Sequence, residues 1–153
     1  MERKRPTADL ETLVKQIEAE ATKDQILKFD NQSVNLEITD QCYANCEECY
    51  TDGRAHPRGR EVPLEVIAAR IQWIKRFTDA KCLYLLGGEP LLHSQFQEIV
   101  RLAQAEGYNV NVITAGMISR RRHEKENLEF LLAQYEAGNL DIELSYHPKR
   151  NEK

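Results

Sequence analysis

The chain has 153 residues, a formal net charge of −4, 41% hydrophobic residues and 30% charged residues. This length suits one domain with a sizeable core, and the composition is that of an ordinary globular protein. The acidic balance argues against a general nucleic-acid binder, and the lack of any apolar run approaching the ~20 residues that span a bilayer predicts a cytoplasmic protein with reduced thiols.

The first 32 residues are predicted to form a helical extension that precedes a core domain at residues 33–153. Apolar side chains recur at helical spacing over residues 7–27, at Leu10, Leu13, Val14, Ile17 and Ala21. This pattern is typical of an amphipathic helix. We expect the helix to cover an apolar surface of its own domain, with binding to a partner as the alternative.

From Ser33 onward the apolar period changes to two, because Val34, Leu36 and Ile38 alternate with polar residues. That alternation predicts a strand. The strand leads directly into residues 41–52, QCYANCEECYTD, a loop that contains three of the four cysteines.

The spacing of this loop is Cys42-x-x-x-Cys46-x-x-Cys49. Thiolates are the ligands that iron–sulfur clusters and zinc prefer, and three protein ligands leave one coordination position open for a substrate or cofactor. The sequence therefore predicts a reactive metal loop. A structural zinc site completed by His56 is an alternative, and a disulfide framework is disfavoured in a chain long enough to build its own core.

Helices and strands alternate after the cysteine loop. Pro63 is predicted as the first residue of a helix. The apolar run at residues 82–86 predicts a strand buried on both faces, in which Cys82 is a structural cysteine rather than a fourth metal ligand. The run GGEP at residues 87–90 follows this strand and places paired glycines and a carboxylate where α/β folds bind ligands.

Two more strands are predicted, each preceded by a helix. A capping box at Ser94 and Gln97 predicts the start of the first of these helices. The third strand is expected at residues 109–115, and the fourth at residues 141–146. A helix marked by four apolar side chains is predicted between them, at Leu128, Leu131, Leu132 and Tyr135. In the fourth strand one face is apolar, and we expect its polar face to look into a barrel lumen or a cleft.

The order of elements is a helix followed by β, α, β, α, β, α, β. Right-handed crossovers would lay the four strands parallel and adjacent, with all four carboxyl ends at one rim. The cysteine loop, residues 87–89, residues 114–116, and Ser145 with His147 are therefore expected at a single edge, which is where catalytic residues of α/β barrels collect.

The loop CYANCEEC after the first strand and GGEP after the second resemble the two motifs of the radical S-adenosylmethionine (radical SAM) superfamily. The resemblance extends from about residue 33 to residue 147. It implies an α/β fold, a partial (βα) barrel of about four parallel strands with helices on the outer face. The pair of motifs is much more specific than either motif alone.

The resemblance also implies roles for individual residues. Cys42, Cys46 and Cys49 would each ligate one iron of a 4Fe-4S cluster, and SAM would chelate the fourth iron. The predicted SAM-binding residues are Gly87, Gly88 and Glu89 at the amino group, Pro90 as the residue that shapes the turn, and Ser145 at the ribose or carboxylate.

The implied activity is reductive cleavage of SAM to a 5'-deoxyadenosyl radical, which abstracts hydrogen from an unknown substrate. An electron donor such as a flavodoxin or ferredoxin is implied as well. The non-catalytic alternative is an iron–sulfur or zinc-binding interaction module.

Two features depart from the family pattern. The residue before the third cysteine is commonly aromatic in the family, whereas it is Glu48 here, and Tyr50 is the candidate to replace it near the adenine. The family barrel has about six strand–helix units, whereas four are predicted here. We therefore expect a fragment, or a short form that completes its barrel by self-association or with a partner chain.

Overall fold

The computed structural model describes residues 32–44, 46, 49–51 and 56–145. The predicted helix at residues 7–27 lies outside the described residues, as do Glu48 and residues 146–153. Strands and α-helices alternate along the described part: β1 (Ser33–Thr39), α1 (Leu64–Phe77), β2 (Cys82–Gly87), α2 (Phe96–Ala105), β3 (Asn109–Thr114), α3 (Arg122–Glu136) and β4 (Asp141–Leu144), with a short 3-10 turn at Pro90–Leu92.

The four strands form one parallel sheet in the order β1-β2-β3-β4. Cys82 pairs with Ser33 on one side and with Asn109 on the other, and Asn111 pairs with Asp141. The prediction of four adjacent parallel strands is confirmed. Since all strands run in the same direction, the four segments that follow them emerge at the same rim.

One face of the sheet packs against the helices and forms the core. The strand side chains in this core occupy alternate positions: Leu36, Ile38, Leu83, Leu85, Val110 and Val112. The opposite face carries mostly polar side chains at the intervening positions, among them Asn35, Tyr84 and Asn111, with the apolar Leu86 and Ile113 near the carboxyl ends of the strands. Within the described residues, the buried side-chain oxygen of Asn111 has no hydrogen-bond partner.

The helices present apolar stripes to this core. In α1 the buried residues Ile67, Ile71 and Ile74 recur at the spacing of one helix face. In α2 the buried set is Phe96, Ile99, Val100 and Ala103. None of the helices in the described part of the chain has the length and apolar character needed to cross a membrane.

Two predictions about helix starts are wrong in detail. Pro63 is the residue before the first helical residue of α1, with extended backbone angles, and its carbonyl accepts hydrogen bonds from the N–H groups of Val66 and Ile67. Ser94 does not cap α2, because its N–H and hydroxyl both donate to the carboxylate of Glu61 instead. A carboxylate on a distant loop has taken the place of the predicted local capping box.

The edge of the sheet at β4 is less covered than its apolar pattern predicts. Leu144 is 72% exposed although it lies on the helix-facing side of β4, and Leu132 and Tyr135 of α3 are also exposed. The residues that α3 buries are Glu124, Asn127 and Leu131. Of the apolar residues that marked this helix in the sequence, only Leu131 is fully buried, and two polar residues share its buried face.

Candidate cofactor site

The segments that follow the four strands meet around one cavity. It has a volume of about 320 Å³, within the usual size range of small-molecule sites. All three cysteines of the loop line it. The other lining residues are Ala44, Tyr50, Leu86, Gly87, Gly88, Ile113, Ala115 and Ser145. Of the predicted site residues, three cysteines, two glycines and Ser145 thus line the cavity, and Glu89 and Pro90 lie in the turn beside it.

Gly87 and Gly88 allow the turn after β2 to approach the chain leading into the cysteine loop. The N–H of Gly88 donates to the carbonyl of Thr39 at 2.7 Å, and the N–H of Glu89 donates to the carbonyl of Gln41 at 2.6 Å. A Cβ atom on Gly88 would lie 2.2 Å from the carbonyl oxygen of Gln41. Only glycine fits this contact between two backbones.

Residues 56–60 also hydrogen-bond to the start of the cysteine loop. The N–H of Cys42 donates to the carbonyl of His56 at 3.1 Å, and the N–H of Asp40 donates to that of Arg60 at 2.8 Å. The side chain of His56 is exposed, and its Nδ1 accepts the N–H of Arg58 at 3.1 Å. His56 therefore contributes its backbone to the loop, while one of its ring nitrogens is engaged locally.

The three thiols differ in their surroundings. Cys42 is buried at 8% exposure, whereas Cys46 and Cys49 are half-buried. Burial raises the pKa of the Cys42 thiol above its ordinary value of 9.0; a hydrogen bond from the N–H of Ala44 opposes this, and Glu89 with the other two cysteines adds to it. A thiol in such a place needs a nearby cation to persist as a thiolate.

Thiolates are the donor type that iron–sulfur clusters take, so the chemistry of the three cysteines suits such a cluster. Within the described residues, no group of three or more His, Cys, Asp or Glu side chains is arranged so that it could hold a metal ion. A four-iron cluster differs from a single ion in taking one thiolate at each of separate irons. Three thiols that share a cavity with open space beside them fit such a cluster and a further ligand.

Glu89 is almost fully buried, at 1% exposure. Its carboxylate accepts hydrogen bonds from the hydroxyl of Thr114, from the N–H of Ala115 at 2.9 Å and from the N–H of Leu91 at 3.3 Å. Burial raises the pKa of this carboxyl group, and these hydrogen bonds oppose the shift. Glu89 thus ties the turn after β2 to the end of β3, and Pro90 is buried next to it.

Tyr50 stands at the mouth of the cavity. Its side chain is 58% exposed, and its hydroxyl donates to the carbonyl oxygen of Gly87 at 2.8 Å. An aromatic ring therefore lines the cavity directly after the third cysteine, although the position before that cysteine holds a glutamate.

Two residues of α3 that the sequence patterns did not single out also hold the site together. Glu124, at 0% exposure, accepts a hydrogen bond from the hydroxyl of Tyr43 at 2.9 Å. Asn127 donates from its side-chain amide to the carbonyls of Leu91 and His93 at 3.0 and 2.9 Å. Hydrophobic periodicity could not find them, since both are polar; their i, i+3 spacing relative to each other was the only available signal.

Cys82 lies at the opposite end of the sheet from the cysteine loop. It pairs with Ser33, six positions before Thr39 along β1, which amounts to about 20 Å at the usual strand rise. It lines a different cavity with Asn109 and Asp141, and it is half-buried rather than buried as predicted. This placement separates Cys82 from the other three thiols.

The chain is similar in sequence to several known enzymes. The chain is 25% identical over 114 residues to 7,8-dihydro-6-hydroxymethylpterin dimethyltransferase of Methanocaldococcus jannaschii. It is 31% identical over 85 residues to S-adenosylmethionine-dependent nucleotide dehydratase of Selenomonas ruminantium and 28% identical over 128 residues to GTP 3',8-cyclase of Aquifex aeolicus.

These alignments cover 73%, 56% and 78% of this chain but 21%, 30% and 37% of the relatives. The chain thus spans between about a fifth and somewhat over a third of their lengths. Residues 36–142 match the family model described as the Radical SAM superfamily. This match includes the cysteine loop, the glycine turn and parts of all four strands, and the chain belongs to the radical SAM superfamily.

Proposed function

We propose that this chain is the cluster- and SAM-binding part of a radical SAM enzyme. The observation that carries the proposal is the single cavity shared by Cys42, Cys46, Cys49, Gly87 and Gly88. Three thiols and a backbone turn that line the same cavity suit a cluster with one open iron and a small ligand that chelates it. When both are bound, the cluster and SAM would supply one-electron cleavage of SAM to a 5'-deoxyadenosyl radical.

In this proposal the residues of the chain bind the cluster and SAM and orient them. The three cysteines would hold the cluster, and we assign the amino group of SAM to the backbone of Gly87 and Gly88, an assignment supported by their place in the lining of the same cavity. Glu89 fixes the shape of that turn through its bonds to Thr114 and Ala115. Ser145 lines the same cavity, which supports its assignment to the ribose or carboxylate.

We further propose that the sheet belongs to a (βα) barrel. A parallel sheet is normally covered on both faces, whereas here the helices pack on one face and the other carries mostly polar side chains. Further strands, from the same polypeptide, a second copy or a partner chain, would cover that face and complete the substrate site. An electron donor such as a flavodoxin or ferredoxin would reduce the cluster.

The relatives suggest which substrates to test first. Their names specify a pterin, a nucleotide and GTP. Pterins and nucleotides both contain nitrogen heterocycles, so we propose this class as the first to test for hydrogen abstraction.

Anaerobic reconstitution tests the proposal. We expect about four irons per chain, and 5'-deoxyadenosine from SAM under strong reductant. Cys46→Ala should abolish cluster assembly, and Cys82→Ala, the matched control at the far end of the sheet, should leave it intact. Tight zinc binding with indifference to SAM would instead indicate a non-catalytic interaction module, and loss of iron in Cys82→Ala would refute the assignment of the open position.

A further inference from the structure

A buried carboxylate outside the two motifs is connected to the cysteine loop. Glu124 lies in the first turn of α3 and is fully buried. Its two oxygens have different partners: Oε1 accepts the hydroxyl of Tyr43, and Oε2 accepts the N–H of Ser119. Tyr43 is the residue directly after Cys42. The carboxylate therefore connects the cysteine loop to the segment between β3 and α3.

That segment is held at both of its ends by carboxylates. Glu89 accepts from Thr114 and Ala115 where β3 ends, and Glu124 accepts from Ser119 just before α3 begins. Ala115 lines the cavity. A shift of Glu124 would thus move one wall of the cavity together with the loop that carries Cys42.

A helix-capping role alone does not account for this arrangement. A carboxylate in the first turn of a helix is favoured by the helix dipole wherever it points. Such a role would leave the side chain exposed, as it does for Glu65 and Glu98 in the first turns of α1 and α2. Glu124 is instead buried, and it accepts a hydrogen bond from the hydroxyl of Tyr43, which lies 81 positions earlier in the chain.

The hydrogen bonds are consistent with an ionised carboxylate at this place. Burial acts to raise the pKa of Glu124, but hydrogen bonds from Ser119 and Tyr43 and the charge of His123 outweigh it and lower the pKa below its ordinary value of 4.5. The exposed guanidinium of Arg121 lies 3.9 Å from the carboxylate. A charged acceptor makes a stronger bond to a hydroxyl than a neutral one does.

We propose that Glu124, acting through the hydroxyl of Tyr43, is a positioning residue that holds Cys42 and its loop in the geometry for cluster binding. The proposal rests on the proposed function of the cysteine loop. It assigns no contact with the cluster or with SAM to either residue. Removing a group that orients a metal ligand typically lowers metal affinity by about 10- to 100-fold. We assign Tyr43 and Glu124 to such groups.

The test compares Tyr43→Phe, Glu124→Gln and Glu124→Leu with Glu126→Gln. Glu126 lies two residues further along α3, is exposed and pairs with Arg122 at 2.7 Å, so it is a matched control. Glutamine can accept the N–H of Ser119 and donate to the oxygen of Tyr43, and it should therefore preserve the connection. Glu124→Leu and Tyr43→Phe should each break the connection.

The first measurement is the rate at which reconstituted protein loses iron to a chelator, together with the electron paramagnetic resonance spectrum of the reduced cluster. We expect Tyr43→Phe and Glu124→Leu to lose iron about 10- to 100-fold faster with an altered spectrum, Glu124→Gln to lose iron more slowly than Glu124→Leu because it keeps neutral hydrogen bonds, and Glu126→Gln to match the wild type. Equal rates in Tyr43→Phe and the wild type would overturn the proposal, and so would Glu124→Gln losing iron as fast as Glu124→Leu.

The second measurement needs no metal. Alkylation of Cys42 in metal-free protein, followed at the level of the peptide by mass spectrometry, should be about tenfold faster in Tyr43→Phe, as expected when one hydrogen bond to a charged group is lost. Glu126→Gln should leave the rate unchanged. If the wild type holds no iron, the proposed function fails, whereas the positioning proposal is still decided by this comparison.

Discussion

The hydroxyl of Tyr50 donates a hydrogen bond to the carbonyl oxygen of Gly87 at 2.8 Å, across the mouth of the cavity that also contains the three loop cysteines. This contact connects the end of the cysteine loop to the glycine turn. It also engages one of the backbone acceptors that our proposal gives to the amino group of SAM. In that proposal, Tyr50 and SAM compete for the same carbonyl.

Replacing Tyr50 by Phe should remove this competition while it keeps the ring. We expect unchanged iron content and a few-fold tighter binding of SAM, within the factor that one neutral hydrogen bond contributes. Equilibrium dialysis of SAM against reconstituted protein measures the change. Tyr84→Phe, on the polar face of β2, is the control. Weaker binding of SAM in Tyr50→Phe would show that the hydroxyl assists the ligand rather than competing with it.

Replacing Gly88 by Ala should destabilise the chain strongly. Its Cβ would lie 2.2 Å from the carbonyl oxygen of Gln41, so two backbone segments must separate. We expect a loss of more than about 3 kcal/mol in the free energy of unfolding, the range reached when a substitution forces such a shift. Urea denaturation of the metal-free protein measures it.

Gly116→Ala is the matched control for that substitution. Gly116 has a φ of +67°, but among the described residues no atom beyond those of its two chain neighbours lies within 4 Å of the place that a Cβ atom would occupy, so the added methyl group meets open space. The cost is then limited to backbone strain, about 1–2 kcal/mol. A loss in Gly116→Ala as large as that in Gly88→Ala would argue against the close contact at Gln41.

Glu89→Gln should destabilise the turn after β2. The carboxylate accepts from the N–H groups of Ala115 and Leu91 and from the hydroxyl of Thr114. A glutamine has only one acceptor oxygen, and a backbone N–H that faces its amide nitrogen loses its partner at a cost of about 1–3 kcal/mol. Chemical denaturation should show this loss, whereas Glu98→Gln at an exposed position of α2 should show almost none.

The ion pair between Lys75 of α1 and Glu106, just after α2, should make a pH-dependent contribution to stability. Its N···O distance is 2.8 Å, and the hydrogen bond from Lys75 lowers the pKa of Glu106 below its ordinary value of 4.5. For a carboxyl group whose pKa is lower in the folded state, the stabilisation is present above the unfolded-state pKa and is lost as the pH falls through the folded-state pKa.

We therefore expect Glu106→Gln to be less stable than the wild type at neutral pH and the difference to vanish as the solution is acidified below pH 4.5. Thermal unfolding over a pH series measures this. In a Lys75→Met background the same substitution should have a much smaller effect, because only the hydrogen bond between Glu106 and the side chain of Gln72 remains. A difference as large in that background as in the wild type would assign it to a cause other than the ion pair.

Local sequence was sufficient to predict the strands and helices of the described residues and the edge of the sheet at which the cysteine loop and the glycine turn line one cavity. The alternation at Leu36 and Ile38, the helical spacing at Ile67 and Ile71, and the glycines at 87 and 88 each reflect short-range constraints on burial or backbone angle. Because parallel strands bring their carboxyl ends to one rim, the order of elements alone predicted that the cysteine loop and the glycine turn would meet.

Only the tertiary structure decided which side chains hold these segments together. Ser94 bonds to Glu61 rather than capping α2, and Tyr43 bonds to Glu124 across most of the described chain. Such pairs have no period and no short-range spacing, since they depend on which loops the packed helices bring together. The sequence by itself determined the spacing of the candidate cysteine ligands and the strand order, whereas the burial of Glu89 and Glu124 depends on the segments that packing brings to them: the end of β3 at Glu89, and the cysteine loop at Glu124.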